Sequence, residues 1–344
     1  MYDGCYQQCN GKRLRRTGAA RRHVRPAGTF HYECAQSDQG RHLLREGCLR
    51  GGTSALNSLV MSFLDRIRAC NTHDFSAYRP FEVDGVRIGW IRHTLAEQLP
   101  GVDPGFVVTP TRVTMAPEVH NFEARSAVLE HAAEFVVEQG FAQKLRGEFY
   151  PVLPKWGAEP LMRVDRAAVA HFGIAAYGLH VNGFVRTENG IELWVGRRAR
   201  DRGVAPGQFD NLIAGGQPIG LSLAENLVKE AEEEAGIGPE LIGRAVPVGV
   251  VTYLMESSHG LKPDTLFLYD LELDADFVPK NTDGEVETFE RWPIDKVAAS
   301  VRDTEDWKFN VNLVVIDFLV RHGWLKPEDP DYLDIVHGLR RSVA

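Results

Sequence analysis

The chain has 344 residues, 44% hydrophobic and 25% charged, which is the composition of a globular protein with room for one large or two medium domains. Residues 1–60 hold 10 Lys and Arg against 4 Asp and Glu, a net charge of +6, so the total of −8 leaves −14 for residues 61–344. That acidic excess excludes a general affinity for nucleic acid, and no apolar run reaches the length of about eighteen residues typical of a membrane span.

The first 60 residues lack the pattern of a folded domain. They have few aliphatic side chains and no sustained periodicity, and we predict that they are disordered or a non-native extension. They also contain four of the five cysteines, at spacings unlike those of a zinc module: Cys5, Cys9, Cys34 and Cys48. An Arg-rich, acid-poor leader could instead be an organelle transit peptide. We favour a third interpretation, translation from Met61, which leaves only Cys70 and suits a reducing cytoplasm.

Residues 61–172 form the first predicted module. A helix is expected from Ser62 to about Cys70, and the alternation around Asp84-Gly85 predicts a β-hairpin. A proline-rich loop that could lie close to a pocket is predicted over 150–156. Further helices are predicted over 93–99, 122–139 and 163–171. The module is therefore of the α+β type, and its scattered histidines form no catalytic constellation.

A second hairpin with a basic strand end comes next. The turn Asn189-Gly190 joins apolar strands over 176–185 and 191–198. Arg197 and Arg198 end the second strand, where guanidinium groups could bind phosphate oxygens or simply face solvent. Several aromatic side chains could stack on the rings of a ligand: Trp90, Trp156, Tyr177 and Trp194.

The stretch 211–237 carries the strongest signal. A strand end passes through Gly215 and Gly216 into a helix, for which Ser222 and Glu225 predict a capping box and Gly236 a C-cap. Three glutamates of this helix share one face: Glu230, Glu233 and Glu234. Because like charges at this spacing repel, the pattern predicts a hard divalent cation, Mg²⁺ or Mn²⁺, held together with substrate phosphates. A solvated acidic helix face is the alternative.

Two strands, an acidic loop and an apolar helix follow. The strands are predicted over 246–255 and 265–273, and the loop over 281–287. The helix, over 307–321, is expected to cover the sheet, so that residues 173–326 form a second, larger α/β domain. Residues 327–344 are predicted to be a peripheral tail, in which Tyr332, Ile335 and Leu339 could dock as one short helix.

The glycine turn and the acidic helix resemble the Nudix box, a glycine, five residues, Glu, seven residues, then Arg-Glu-aliphatic-x-Glu-Glu-x-Gly-aliphatic. The matching residues are Gly215, Lys229, Glu230, Ala231, Glu233, Glu234, Gly236 and Ile237. Leu221 stands at the first Glu of the box, and Lys229 stands at its Arg. Residues 61–172, with Arg79-Pro80-Phe81 and Gly89-Trp90-Ile91-Arg92, are similar to the uncharacterised (DUF4743-like) module that precedes the Nudix domain in thiamine-pyrophosphokinase-related Nudix proteins.

This resemblance implies a Nudix α/β/α sandwich with a mixed sheet, preceded by the smaller α+β module. It implies that Glu230, Glu233 and Glu234 bind Mg²⁺ or Mn²⁺ and act in catalysis, with Lys229 orienting an acid as a point charge. Glu285 or Glu287 of the late loop would complete the metal site or act as the base. Substrate contacts are expected at Gly215, Gly216, Arg197, Arg198 and Trp194.

The implied activity is hydrolysis of a diphosphate bond in a small molecule, a thiamine diphosphate-like compound such as an oxo or hydroxy analogue, to the monophosphate and phosphate. Alternatives are a nucleoside diphosphate-sugar hydrolase, an isomerase of allylic diphosphates, and a diphosphate-binding module without catalysis. We expect a small-molecule partner, no nucleic acid and no membrane, and the sequence leaves the oligomeric state open. The expected location is the cytoplasm, or an organelle if residues 1–60 are a transit peptide.

Overall fold

The computed structural model describes residues 61–342, so the predictions for residues 1–60 lie outside the described residues. The chain there begins with α1 (Phe63–Ala69), where Ser62 and Asp65 form a capping box. The first sheet has the order β2-β1-β4-β3, formed by β1 (Tyr78–Val83), β2 (Val86–Arg92), β3 (Phe106–Val108) and β4 (Val113–Met115). Three helices accompany it: α2 (His93–Ala96), α3 (Leu99–Val102) and α4 (Phe122–Glu138).

Local turn chemistry explains several of these boundaries. Asp84 (φ 53°) and Gly85 (φ 76°) both adopt left-handed backbone between β1 and β2, as a two-residue hairpin turn requires, and the predicted hairpin is confirmed. Gly140 (φ 72°) follows α4 and confirms the predicted stop. The helix predicted over 93–99 is divided into α2 and α3, with Gln98 between them.

Two predictions for the end of the module are wrong. In place of a loop and a helix, β5 (Phe149–Val152) and β6 (Met162–Asp165) form an antiparallel pair. Pro151 is tolerated because a two-stranded sheet leaves one side of each strand unpaired. A helix over 163–171 does not form because the Asp165 carboxylate accepts hydrogen bonds from the backbone N–H groups of Arg146, Gly147 and Ala167, which favours turns.

The second sheet is mixed, as predicted, and has seven strands. Its order is β11-β12-β7-β8-β13, with β10 beside β7 and β9 beside β8. β7 and β12 run parallel, whereas the other pairs run antiparallel. The strands are β7 (Tyr177–Thr187), β8 (Gly190–Arg198), β9 (Phe209–Asp210), β10 (Ile213–Gly216), β11 (Val246–Ser257), β12 (Gly260–Glu272) and β13 (Val286–Pro293).

Helices cover both faces of this sheet and give the expected α/β/α sandwich. They are α5 (Leu223–Ala235), α6 (Pro239–Ile242), α7 (Ile294–Asp303), α8 (Val311–Arg321) and α9 (Tyr332–Gly338). In β8, Leu193 and Val195 belong to the core under α7 and α8, whereas Trp194 belongs to the core under α5. Such alternation is what a sheet buried on two faces requires. The sequence reading missed α7.

The two ends of the described chain join the same core. Phe63 and Ile67 of α1 are buried together with Ile335 of α9 and Leu339, in the cluster that includes α8. Arg66 of α1, also buried, donates hydrogen bonds to the backbone carbonyls of Val301 and Thr304. The segment predicted as a peripheral tail therefore supplies buried core residues. No helix among the described residues combines the length and the apolar character needed to cross a membrane.

The module and the large sheet meet along the β11–β12 hairpin. The Tyr78 hydroxyl and an Arg92 guanidinium nitrogen both donate to Glu256 Oε1 of β11, at 2.9 and 2.8 Å. At the hairpin turn, Gly260 (φ 124°) lies so close to the module that a Cβ there would be 2.1 Å from the carbonyl oxygen of Ala170. The hairpin is thus fixed against residues of the module.

Two glycine substitutions test this contact. Gly190 has a similar φ of 115° at the β7–β8 turn, but open space surrounds its missing Cβ. We expect Gly190→Ala to lower the free energy of unfolding by about 1 kcal/mol through backbone strain, and Gly260→Ala by about 3 kcal/mol or more, because the clash adds to the strain. Urea unfolding followed by circular dichroism measures both, and equal losses would contradict the contact.

Candidate functional site

The candidate site is built around β10 and the helix α5 that follows it. Ser222 and Glu225 form the predicted capping box, and Gly236 (φ 64°) ends the helix in left-handed conformation. A Cβ on Gly215 would lie 2.4 Å from Cδ of Glu230, and one on Gly216 would lie 1.6 Å from the hydroxyl oxygen of Tyr150. The two glycines thus let β10 approach the acidic helix on one side and the N-terminal module on the other.

The three glutamates of α5 have different environments. Glu234 is buried, and its Oε2 accepts a hydrogen bond of 2.7 Å from the backbone N–H of Ala214. Burial raises the pKa of Glu234 well above its usual range; the Ala214 N–H opposes the shift, and the charges of Asp210 and Glu230 add to it. Burial also raises the pKa of Glu230, against the effect of the neighbouring Lys229. Glu233, in contrast, is about half exposed.

Lys229 links two of these acids. Its Nζ lies 3.1 Å from Glu230 Oε1 and 2.7 Å from Glu233 Oε2. Partial burial alone would lower the pKa of Lys229, but the hydrogen bonds to Glu233 and Glu230 raise it. The ammonium group therefore behaves as the point charge expected at this position, and it touches two carboxylates at once.

The helix offers the oxygen ligands that a hard divalent cation prefers. Glu230, Glu233 and Glu234 lie within one helical turn, and burial raises the pKa of both Glu230 and Glu234. A magnesium or manganese ion would fit this donor set. Within residues 61–342, however, no three Asp, Glu, His or Cys side chains already lie close enough together to form a metal cluster.

A cavity of about 600 Å³ opens in front of β10, between the module and the large sheet. Cations dominate its wall, with two acidic side chains, Asp264 and Glu285, against seven basic ones. The basic side chains are Lys144, Arg146, Arg166, Arg198, Arg202, Lys262 and Lys308. This charge balance suits a small anionic ligand with several phosphate oxygens.

Some predicted substrate contacts lie in this cavity and others do not. Arg198, Gly215 and Gly216 line it. Arg197 points to the opposite face of β8, where its guanidinium lies 4.2 Å from the ring centroid of Phe209, because successive strand residues alternate in direction. Trp194 is 9% exposed and packs in the core under α5, so it does not contact the cavity.

The two late glutamates also separate. Glu285 lines the cavity and forms an ion pair with Arg202. Glu287 is 45% exposed and lies 3.7 Å from Arg200, outside the cavity lining. Glu285 precedes β13, and a bulge between Val286 and Thr288 interrupts the strand at Glu287.

The buried carboxylate of Asp210 binds two of the cationic side chains that line the cavity. It accepts hydrogen bonds from Arg198 at 2.8 Å and from Lys308 at 3.0 Å. Burial alone would raise the pKa of Asp210, but the charges of Lys308, His180 and Arg198 lower it. His180 hydrogen-bonds Asn211 at 2.8 Å, and burial lowers the pKa of His180 to about 4.

Most of the charged residues that line the cavity were not predicted from the sequence. The module contributes Lys144, Arg146, Tyr150 and Arg166, and the only signal for them was the proline-rich stretch that begins at Tyr150. Lys308, Lys262 and Asp264 have no local motif, because the fold alone brings them to the cavity. Of the expected aromatic residues, Tyr177 lines the cavity, and Trp156 packs on it with ring centroids 4.6 Å apart.

Comparisons with known proteins give the class of this fold and site. A family model described as a domain of unknown function (DUF4743) matches residues 62–176. "Nudix hydrolase 24, chloroplastic" from Arabidopsis thaliana is 38% identical over 290 residues, which cover 83% of this chain and 80% of that one. "Nudix hydrolase 20, chloroplastic" from the same plant is also 38% identical, covering 83% and 79%.

More distant matches are also found. "Uncharacterized protein YJR142W" from Saccharomyces cerevisiae is 28% identical, covering 78% of this chain and 87% of that one. The crystal structure of DR0079 from Deinococcus radiodurans matches with 20% identity and a TM-score of 0.31, covering 41% and 80%.

The fold, the acidic helix and the close plant relatives define a hydrolase of phosphoanhydride bonds. The chain belongs to the Nudix hydrolase family. It acts on diphosphate bonds of small molecules, and hydrolases of this family generally use divalent metal ions. The resemblance to the Nudix family and to the DUF4743-like module is confirmed.

The pKa of the buried His180 predicts how the stability of the fold depends on pH. This pKa of about 4 lies below the usual value of about 6.5. Below pH 6.5 the unfolded chain therefore binds a proton that the folded chain does not, and the free energy of unfolding decreases as the pH is lowered to about 4. Between pH 7 and pH 5 this single group should remove about 2 kcal/mol of unfolding free energy. Urea unfolding of wild type and His180→Gln at both pH values measures this. The variant should lose less unfolding free energy by that amount, and an equal loss in both proteins would contradict the lowered pKa of His180.

Proposed function

We propose that this chain uses Mg²⁺ or Mn²⁺ to hydrolyse the diphosphate bond of a small organic molecule bound in the 600 Å³ cavity. The observation that carries the proposal is the position of β10. Its glycines form the cavity wall, and the carboxylates of Glu230 and Glu234 pack directly against Gly215 and Ala214 from behind. The cationic side chains and the carboxylates thus flank β10, and these are the two kinds of group that a metal-bound diphosphate requires.

We assign the metal to Glu230, Glu233 and Glu234, and Glu285, which lines the cavity, would complete this acidic set. A bound divalent cation would neutralise phosphate charge and supply an acidified water. Glu285 is near enough for its charge to raise the pKa of Glu234. Glu287 is not retained in this assignment, because its side chain is 45% exposed and pairs with Arg200 rather than with the acidic helix.

Glu230 is our candidate for the general base. Burial raises its pKa toward the operating range of a base, and it touches the cavity-lining Gly215. Lys229 would hold Glu230 and Glu233 in one orientation.

The phosphate oxygens would be bound by cavity cations. Arg198 is held in place by Asp210, which suits a fixed guanidinium contact. Lys144 and Arg146 of the module form no ion pair with any residue in the range 61–342, so both charges are available to a ligand. Arg197 and Trp194 are left out, since both point away from the cavity.

A thiamine diphosphate-like compound, such as an oxo or hydroxy analogue, is the proposed substrate. The cavity volume suits one drug-sized molecule, and Tyr177, backed by Trp156 and Phe267, offers a ring for stacking. The sequence resemblance to thiamine-pyrophosphokinase-related Nudix proteins favours this ring system over a sugar. The names of both plant relatives carry the word chloroplastic, which supports the organelle alternative over the cytoplasm.

One observation favours a binding module without catalysis as the second candidate. Lys229 already places a positive charge between Glu230 and Glu233, where it competes with a metal ion. If that charge replaces the cation, the domain would hold a diphosphate and leave it intact.

Neutralising one carboxylate tests the metal assignment. Glu233→Gln should lower turnover roughly 100-fold or more in Mg²⁺ or Mn²⁺, because an oxygen ligand with full charge is lost. Glu232→Gln is the matched control, since Glu232 is exposed on the same helix and has the same charge. Phosphate release measures the turnover of both variants. Wild-type turnover by Glu233→Gln would contradict the metal assignment.

A substrate panel separates the two candidate functions. It contains thiamine diphosphate, its oxo and hydroxy analogues, ADP-ribose and a nucleoside diphosphate sugar, with products resolved by chromatography. We expect the thiamine-type diphosphates to be cleaved at least about tenfold faster than the others, a difference of about 1.4 kcal/mol in activation free energy. A compound that raises the melting temperature without being cleaved would instead favour the binding module.

A further inference from the structure

Two residues that line the cavity each have a buried oxygen atom without a hydrogen-bond partner among residues 61–342. Asp264 on β12 and Asn310 before α8 are each 6% exposed and line the cavity. The Oδ1 atom of each is buried and receives no hydrogen bond from any described residue. An unpaired buried acceptor costs about 1–3 kcal/mol, so a site that keeps two of them calls for a donor from outside the chain.

Neighbouring bonds fix which atoms stay free. The hydroxyl of the buried Tyr253 donates to Asp264 Oδ2 at 2.6 Å, and Asn310 Nδ2 donates to the oxygen of the same hydroxyl at 3.4 Å. Lys262 Nζ also approaches Asp264 Oδ2, at 3.2 Å. The Asn310 amide is not flipped, because its oxygen would then face the Tyr253 hydroxyl, whose proton is already donated to Asp264. Both free atoms are therefore acceptors, which require a ligand that donates.

This pair lies apart from the acidic helix but in the same cavity. From the glycines of β10 the sheet passes through β7 to β12, which carries Asp264, so two strand spacings separate them. Across the sheet that is roughly 10 Å, and Asp264 also lies two positions along β12 from Leu266, the residue level with Gly216. Tyr177, which also lines the cavity, pairs with Thr265, the neighbour of Asp264.

We propose that Asp264 and Asn310 determine substrate specificity by accepting hydrogen bonds from N–H or O–H groups on the organic end of the diphosphate. The site then selects diphosphates of a heterocycle that carries an amine or a ring N–H. It discriminates against hydrocarbon diphosphates, which would leave both acceptors buried and unpaired. This inference rests on the proposed function and extends it from the diphosphate bond to the organic group.

The test compares Asp264→Asn with wild type on donor-bearing and donor-free probes. Thiamine diphosphate and ADP carry amine donors, and dimethylallyl diphosphate has neither N–H nor O–H on its organic part. The variant keeps an oxygen for the Tyr253 hydroxyl but replaces the second acceptor with a donor. Calorimetry in Mg²⁺ measures the Kd of each probe. For the amine probe that wild type binds more tightly, the Kd of the variant should be about tenfold higher or more. For dimethylallyl diphosphate, it should rise by less than about twofold.

Controls separate this effect from misfolding. Asn310→Ala should show the same split between probes, and Asp274→Asn, an exposed carboxylate outside the cavity lining, should leave all Kd values unchanged. Equal effects on both kinds of probe, or wild-type binding no tighter for the amine probes, would overturn the inference. Because the Kd values need no turnover, a protein that binds amine probes selectively without cleaving them would refute the proposed hydrolysis and keep this specificity.

Discussion

Two positions in β10 leave no room for a side chain, and the candidate site depends on them. A Cβ on Gly215 would overlap the Glu230 carboxylate, and one on Gly216 would overlap the hydroxyl of Tyr150. The acidic helix, the large sheet and the N-terminal module therefore meet at this strand edge. Any larger residue there would push the carboxylates away from the cavity or open the module from the sheet.

Charge is separated across the same edge. The carboxylates of α5 lie behind it, where burial raises the pKa values of Glu230 and Glu234, and seven basic side chains lie in front of it. Asp210 shows the opposite behaviour, because Lys308 and Arg198 compensate its charge and lower its pKa. A cation bound by the acids and a diphosphate bound by the bases would each supply the charge that the other half lacks. The module is thus part of the proposed chemistry, since it provides several of those bases.

The sequence predicts features whose cause is local. The capping box at Ser222 and the left-handed Asp84-Gly85 turn depend only on neighbouring residues, and both were foreseen. Arg166 and Lys308 meet in one cavity only through the packing of the module on the sheet, which no short motif records. Glu285 lines the cavity and Glu287 does not, and the bulge at Glu287 is invisible in the sequence pattern. A helix over 163–171 was expected because its spacing of apolar residues fits one, but the backbone contacts of Asp165 override that preference.

The central claim is that the helix α5 and the cationic cavity form one site for a metal ion and a diphosphate. Crystals grown with Mn²⁺ and methylene diphosphonate test this most directly, because the anomalous signal locates manganese independently of the protein. The account predicts a manganese peak in contact with carboxylate oxygens of at least two of Glu230, Glu233 and Glu234, and with diphosphonate oxygens in front of Gly215. Diphosphonate bound elsewhere, or bound in the cavity while Lys229 alone contacts the glutamates, would contradict it.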